Sequence, residues 1–274
     1  MLPRWYWTAI VAFVWASPAL GQGFRFQWKP GQVLTYHVEQ ETYVTEVIDG
    51  KQTEMKSKVA STKRWQVLEL VKGEAILQLS LVALHVETVT PGGEIMLFDS
   101  ANPDKSTPEL KGQMSQYIGQ PIAVLRLNER GIVSEVKQCK FGVASRFESE
   151  PPFVVTFSDD PQKHAWDRNY QMTLEPPHGT GEKYEALQQY RCQKTEGTVV
   201  AVSISTSLKT QPDALADRVP LLQLQPEGLI QFDTRNGVLR SARLHIDREL
   251  KGHQGEGSVY HLQSTYVEEL KGSE

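Results

Sequence analysis

Apolar and polar residues alternate through most of this chain, the pattern of strands with one face buried and the other wet. Leu34, Tyr36 and Val38 open such a run, which continues through Val44 and Val47 to Asp49-Gly50. Asp-Gly favours a hairpin because both central residues of a tight type I′ turn need positive φ. Further strands are predicted over 59–70, over 75–88 after Lys72-Gly73, and over 95–98 after Pro91-Gly92-Gly93, completing a meander. A polar loop, 99–106, precedes a helix with Thr107 as cap and Pro108 at its first position, where the missing N–H has no partner to lose. Leu110, Met114, Tyr117 and Ile118 give that helix one apolar face, which should lie on the sheet. A hairpin of 122–127 and 132–136, turning at Asn128 to Gly131, ends the first half.

The second half repeats the order. Strands are predicted over 181–193 and 199–208, a short helix over 212–219 stopped by Pro220, and strands over 229–232, 238–250 and 258–270. The stretch 73–77 is similar to 197–201, and 127–133 to 233–239, so hairpin, helix and hairpin occur twice, as after an internal duplication. Between the halves, 137–163 carries Phe141, Phe147, Phe153 and Phe157 around Pro151-Pro152, too apolar for a free linker. Its rings should pack on a sheet, as core or as the lid of a cleft. The expected fold is mainly β. It has two related lobes of curved, half-barrel-like antiparallel sheet, 22–136 and 164–274, each with one short helix on its concave face, joined by the connector 137–163.

The N-terminus changes the picture of where the chain works. Arg4, an apolar run from Trp5 to Trp15, and small residues at Ala19 and Gly21 read as a secretory signal peptide over 1–21. The run is about half of the ~20 residues a spanning helix needs, and Gln22 stands where a lipid-anchored chain would have cysteine. The mature chain is therefore expected to be exported, periplasmic or extracellular, with no transmembrane segment after signal removal. The formal charge is −4 and the cations are scattered among acids, which argues against nucleic acid. Cys139 and Cys192 form a disulfide candidate in that compartment, the alternative being two free thiols.

Candidate chemistry is sparse. His245, His253 and His261 recur every eight residues; a turn centred near His253 would set His245 opposite His261 on the polar face, with His253 at a tip too distant to share a metal. His85 shares a face with Leu77, Leu79, Leu81 and Ala83, where a lone histidine is usually a hydrogen-bonded core or edge residue. Asp99, Asn102, Asp104 and Glu109 could offer oxygens to calcium but do not fit an EF-hand, and a turn with a helix cap accounts for them. Asp247 and Glu249 read as the wet side of a strand. The glycine-bearing stretches 177–183 and 252–257 lack the frames and following helices of phosphate-binding loops. A hydrolase would need remote residues such as His85, His178 and Asp167 to converge. No catalytic residue, metal ligand or cofactor is assigned.

Trp28-Lys29-Pro30-Gly31-Gln32 with Tyr36, the stretch 177–184 from Pro177 to Tyr184, and Gln254-Gly255-Glu256-Gly257 with Ser264, Tyr266 and Glu268 resemble a family of uncharacterised exported bacterial proteins with a β-rich domain of unknown function. The resemblance implies compartment and β architecture, and no activity. In topology alone the chain is also similar to periplasmic lipoprotein-carrier half-barrels. The function expected is a non-catalytic binding or envelope-associated protein holding an apolar small molecule between curved sheet and helix, lined by Leu77, Leu79, Leu81, Val200, Val202 and Ile204. The alternatives are a structural module that meets an envelope protein without a small ligand, and a hydrolase without a known motif.

Overall fold

The computed structural model describes residues 23–140, 142, 144, 146–174 and 179–273; the segment 1–21 expected to be a signal peptide, Phe141, Pro177 and His178 lie outside them. Strands β1 (Val33–Ile48), β2 (Lys51–Val71), β3 (Glu74–Val89) and the short β4 (Ile95–Asp99) lead through helix α1 (Pro108–Met114) to β5 (Pro121–Leu127) and β6 (Val133–Cys139). After α2 (Arg146–Ser149), strands β7 (Ala165–Leu174), β8 (Glu182–Glu196) and β9 (Val199–Leu208) lead through α3 (Val219–Leu222) to β10 (Glu227–Asp233), β11 (Val238–Lys251) and β12 (Val259–Ser273).

All twelve strands join one open, curved antiparallel sheet of order β6-β5-β3-β2-β1-β12-β11-β10-β9-β8-β7, with β4 on the flank of β3. The two sequence halves therefore lie side by side in a single sheet. Their seam is the pairing of the first strand with the last, from Leu34 opposite Ser273 to Val47 opposite Val259.

Period-two patterning gives this sheet an inner and an outer face. Leu34, Tyr36 and Val38 of β1, Trp65 and Val67 of β2, and Val200, Val202 and Ile204 of β9 are all buried on the inner one. What buries them is the connector. Phe153 is fully buried, with its ring 5.1 Å from Trp65, 5.3 Å from Phe26, 5.4 Å from Trp28 and 6.0 Å from Tyr36. Phe157 meets Phe232 of β10 at 4.7 Å and Trp166 of β7 at 5.9 Å. Because Trp65 and Trp166 belong to opposite sides of the seam, the sheet must curl around these rings. Full burial of each contributes roughly 2–3 kcal/mol, so the connector is core and not linker.

The N-terminal strap that precedes β1 is held by the two turns that match in sequence. Phe26 N donates to the Glu129 carbonyl at 2.7 Å and Gln27 N to the Gly237 carbonyl at 3.1 Å. Both turns need glycine. A Cβ on Gly131 would stand 2.6 Å from the Phe26 ring and one on Gly237 would stand 2.4 Å from Gln27 N, and both residues have positive φ. Burial alone would raise the carboxyl of Asp233, but hydrogen bonds from Asn236 and the Arg235 N–H hold it below its ordinary range and fix the second turn.

Helix α1 begins at Pro108 after Thr107 as the pattern predicts, although the Thr107 hydroxyl accepts from Leu97 N and not from the helix. The second helix is a correction. A 3-10 turn over Ala216–Arg218 runs into α3, in which Pro220 lies in the first turn and does not stop the helix. Strand β7 has no counterpart in the sequence reading, since Asp167, Arg168, Asn169 and Gln171 mask the alternation of Trp166, Tyr170, Met172 and Leu174.

Candidate functional site

The six residues expected to line a ligand do come together. Leu77, Leu79, Val200, Val202 and Ile204 are buried in the aromatic-rich cluster, and Leu81 packs against it from a half-buried position. That cluster also holds Phe26, Trp28, Phe153, Val155 and Phe157, so side chains of this chain already occupy the level of the inner face where the six converge.

Further along the same face the packing stops. Past Val38, β1 presents Gln40, which is exposed, and Thr42, which is half-buried, before Val44 is buried again. Val44 belongs to a second, smaller cluster with Ile246, Leu262 and Leu222 of α3, flanked by Met55, Leu250 and Tyr260. At ~3.4 Å per residue, the step from Val38 to Val44 is roughly 20 Å. Within it β1 presents only polar side chains on this face, and pairs form across strands, Thr42 with Ser264 at 3.0 Å and Ser57 with Thr88 at 3.0 Å, while Val59 and Leu244 are half-buried beside Gln40 and Tyr266.

At the lower border of this gap lies a buried charge. Glu268 is 0% exposed. Its register opposite Val38 turns it to the inner face, where Tyr266 donates to Oε2 at 2.7 Å and Lys63 Nζ lies 3.4 Å from Oε1. Lys63 also donates to the Tyr266 hydroxyl at 3.2 Å, so ammonium, phenol and carboxylate form a closed triangle. Burial and then the charge of Glu268 push the Tyr266 phenol well above its ordinary range, which keeps it a donor. Lys63 stays 25% exposed in its side chain, and Gln40 stands directly opposite Tyr266 in the register.

The connector reaches this level too. Arg146 of α2 pairs with Glu150 at 2.7 Å, and the charge of Glu150 contributes to raising both Tyr170 of β7, at the edge of the sheet, and Tyr266 of β12, at its seam. Arg168 donates to the Ser149 carbonyl at 2.8 Å and to Gln188 at 3.3 Å, and lies 4.2 Å from the Tyr170 ring centre. Burial pushes the Tyr190 phenol up to about 12, and it donates to Gln188 at 2.5 Å. A polar level thus lies above the aromatic one.

Tyr266 and Glu268 belong to the residues that carry the family resemblance, which implies no activity, and Lys63 and Gln40 lie in no motif. The signal available in sequence was an acid at Glu268, in the same alternate register as Leu262 and Ser264 on β12. On the outer face, an open depression of about 470 Å³ spans β12, β1, β2 and β3; in it Lys58 pairs with Glu41 at 3.0 Å and Lys56 lies 5.2 Å from the Tyr43 ring centre.

The other candidates resolve individually. Val82 is bulged out of the β2–β3 pairing, which shifts the alternation and puts Leu84 in line with Val38 and Ser61; His85 therefore faces the opposite side from Leu77 and Leu79, 3.9 Å from Asp99. The β11–β12 turn centres two residues beyond His253, so His245 faces Thr265 and His261 faces Glu249, not each other. His245 pairs with Glu227 at 3.2 Å and His261 with Asp247 at 2.7 Å. His253 folds inward, 6% exposed, with Nε2 2.8 Å from Glu46. Asp99 accepts from Ala101 N and Asn102 within its own turn, and Asp104 pairs with Lys111. Among the described residues no group of three or more His, Cys, Asp or Glu is placed to hold a metal. Cys139 and Cys192 are not joined by a disulfide in this structure, and burial pushes the Cys192 thiol up to about 11.

No family model and no curated protein matches the chain. Its fold is similar to that of lipovitellin, in a structure described for its lipid–protein interactions, with a TM-score of 0.52 and 12% identity over 90% of this chain and 26% of that one. The chain thus spans about a quarter of the length of that neighbour. A DUF1329 family protein from Desulfovibrio piger (9% identity, 86% of this chain and 84% of that one) and a putative outer membrane lipoprotein-sorting protein domain from Vibrio parahaemolyticus (10%, 87% and 84%) match at a TM-score of only 0.15. Among the described residues no helix is long and apolar enough to cross a membrane.

Proposed function

We propose that this chain is an exported, non-catalytic binding protein of the cell envelope that holds an apolar small molecule on the inner face of its sheet. The observation that carries the reading is the break in inner-face packing between the two apolar clusters, where Gln40 is exposed while Val38 and Val44 on either side are buried. An amphiphile fits such a surface, apolar part against Val44, Ile246 and Leu262 and polar part at the Lys63 level. The likeness in fold to lipovitellin supports a lipid as the molecule held. Export is supported by the signal-peptide pattern over 1–21.

Native mass spectrometry of the mature chain, purified without detergent from an exporting host, tests this. The expected result is an added mass of a few hundred daltons or more, roughly the size of one lipid, that organic extraction removes. A bare mass that stays bare after incubation with envelope lipid extract would reject ligand holding and leave the structural module.

A further inference from the structure

The exposed Gln40, the partly exposed Lys63 and the buried Glu268 together set the chemistry of the polar end that this face can accept. Resting on the proposal that the inner face holds an amphiphile, we propose that Lys63 and Gln40 receive the carbonyl oxygen of an uncharged acyl ester, and that the face selects esters over free fatty acids.

The argument begins with Glu268. A carboxylate with no solvent exposure must be met within the protein, and Lys63 and Tyr266 meet it, one at each oxygen. The positive charge of Lys63 is therefore already answered. A second anion brought to it would have to compete with Glu268 and would face that charge at close range in a poorly solvated place. The Arg146–Glu150 pair is solvent-exposed, 64% and 46% in its side chains, so a carboxylate gains little from it against water. What remains is hydrogen-bonding capacity. An ammonium has three N–H donors, and two are directed at Tyr266 and Glu268. With its side chain 25% exposed, Lys63, which reaches past β1 to Glu268, can turn the third toward an incoming oxygen, while the Gln40 amide, at the next same-face position of β1 after the Val38–Glu268 pair, supplies an uncharged donor. A neutral acceptor gains both bonds without disturbing the ion pair. The half-buried Val59 and Leu244 flank this position, and the Val44–Leu262 cluster lies beyond for the chain.

The test is competition for a bound fluorescent acyl probe at pH 8 by methyl laurate, laurate and dodecane, which share a chain and differ at its end. Methyl laurate should compete about tenfold better than either of the others, the effect of roughly one hydrogen bond. Gln40→Ala, at an exposed position, should reduce that preference, and the double change Lys63→Met with Glu268→Gln should abolish it. The double variant avoids leaving a buried charge unpaired, and its fold is checked by its thermal transition. Laurate competing best, or an ester preference that survives the double change, would overturn the headgroup assignment while apolar binding stands. A probe that does not bind at all would overturn both.

Discussion

The two apolar clusters of the inner face share a sheet and differ in what closes them. The lower is closed by rings brought from outside the sheet, Phe26 and Trp28 from the strap and Phe153 and Phe157 from the connector, and it spans both sides of the seam. The upper is four residues, one from each of three strands and one from the short helix α3 over them, with half-buried neighbours. Elements sealed from both directions hold a fold together; a small cluster bordered by an exposed glutamine leaves surface for something else. The lower cluster maintains the curl, and the upper one borders the surface at which ligand binding is proposed.

The largest effect should come from the lower cluster. Phe153→Ala removes a fully buried ring that touches four other aromatics, and it should cost about 4 kcal/mol in urea unfolding. A loss below about 1 kcal/mol would mean that the connector is not what the sheet curls around. Leu262→Ala in the upper cluster should cost about 2 kcal/mol, because half-buried neighbours can relax into the space, and it should weaken apolar-probe binding where Phe153→Ala leaves the binding surface of the folded fraction alone. Equal stability losses from the two changes would erase the distinction. The smallest effect is a reporter. With its pKa pushed up to about 11, the Cys192 thiol is almost wholly protonated at pH 8, so its alkylation in the native protein should quicken about tenfold per pH unit up to that value. Alkylation of the unfolded, unreduced chain should count two thiols; a count of zero would establish the bridge between Cys139 and Cys192.

Most strands were legible because their alternation is strong, and α1 because Thr107-Pro108 marks a start. What escaped did so for physical reasons. The bulge at Val82 leaves no mark in a regular alternation, yet it exchanges the faces of every residue after it and so misplaced His85. The extent of the six lining residues' burial was readable, but the rings that occupy the same level come from segments far away in sequence. Lys63, Tyr266 and Glu268 were hidden differently: Tyr266 and Glu268 stood out only as part of a resemblance without chemistry, acids on a strand read as its wet side, and only the pairing of β1 with β12 and β2 turns these three toward one another.

That pairing has a consequence for how the molecule comes into being. The chain emerges with β1 first, yet one of its two neighbours is the strand that ends at Ser273. Contacts between the ends of a chain carry the largest loop-closure cost and form slowly. Until the last strand is made, the central seam is absent, Glu268 has not met Lys63, and neither flank has its full partner. Completion is thus tied to the arrival of the C-terminus, and a chain truncated before β12 should emerge as two unsatisfied edges rather than as a smaller version of the same protein.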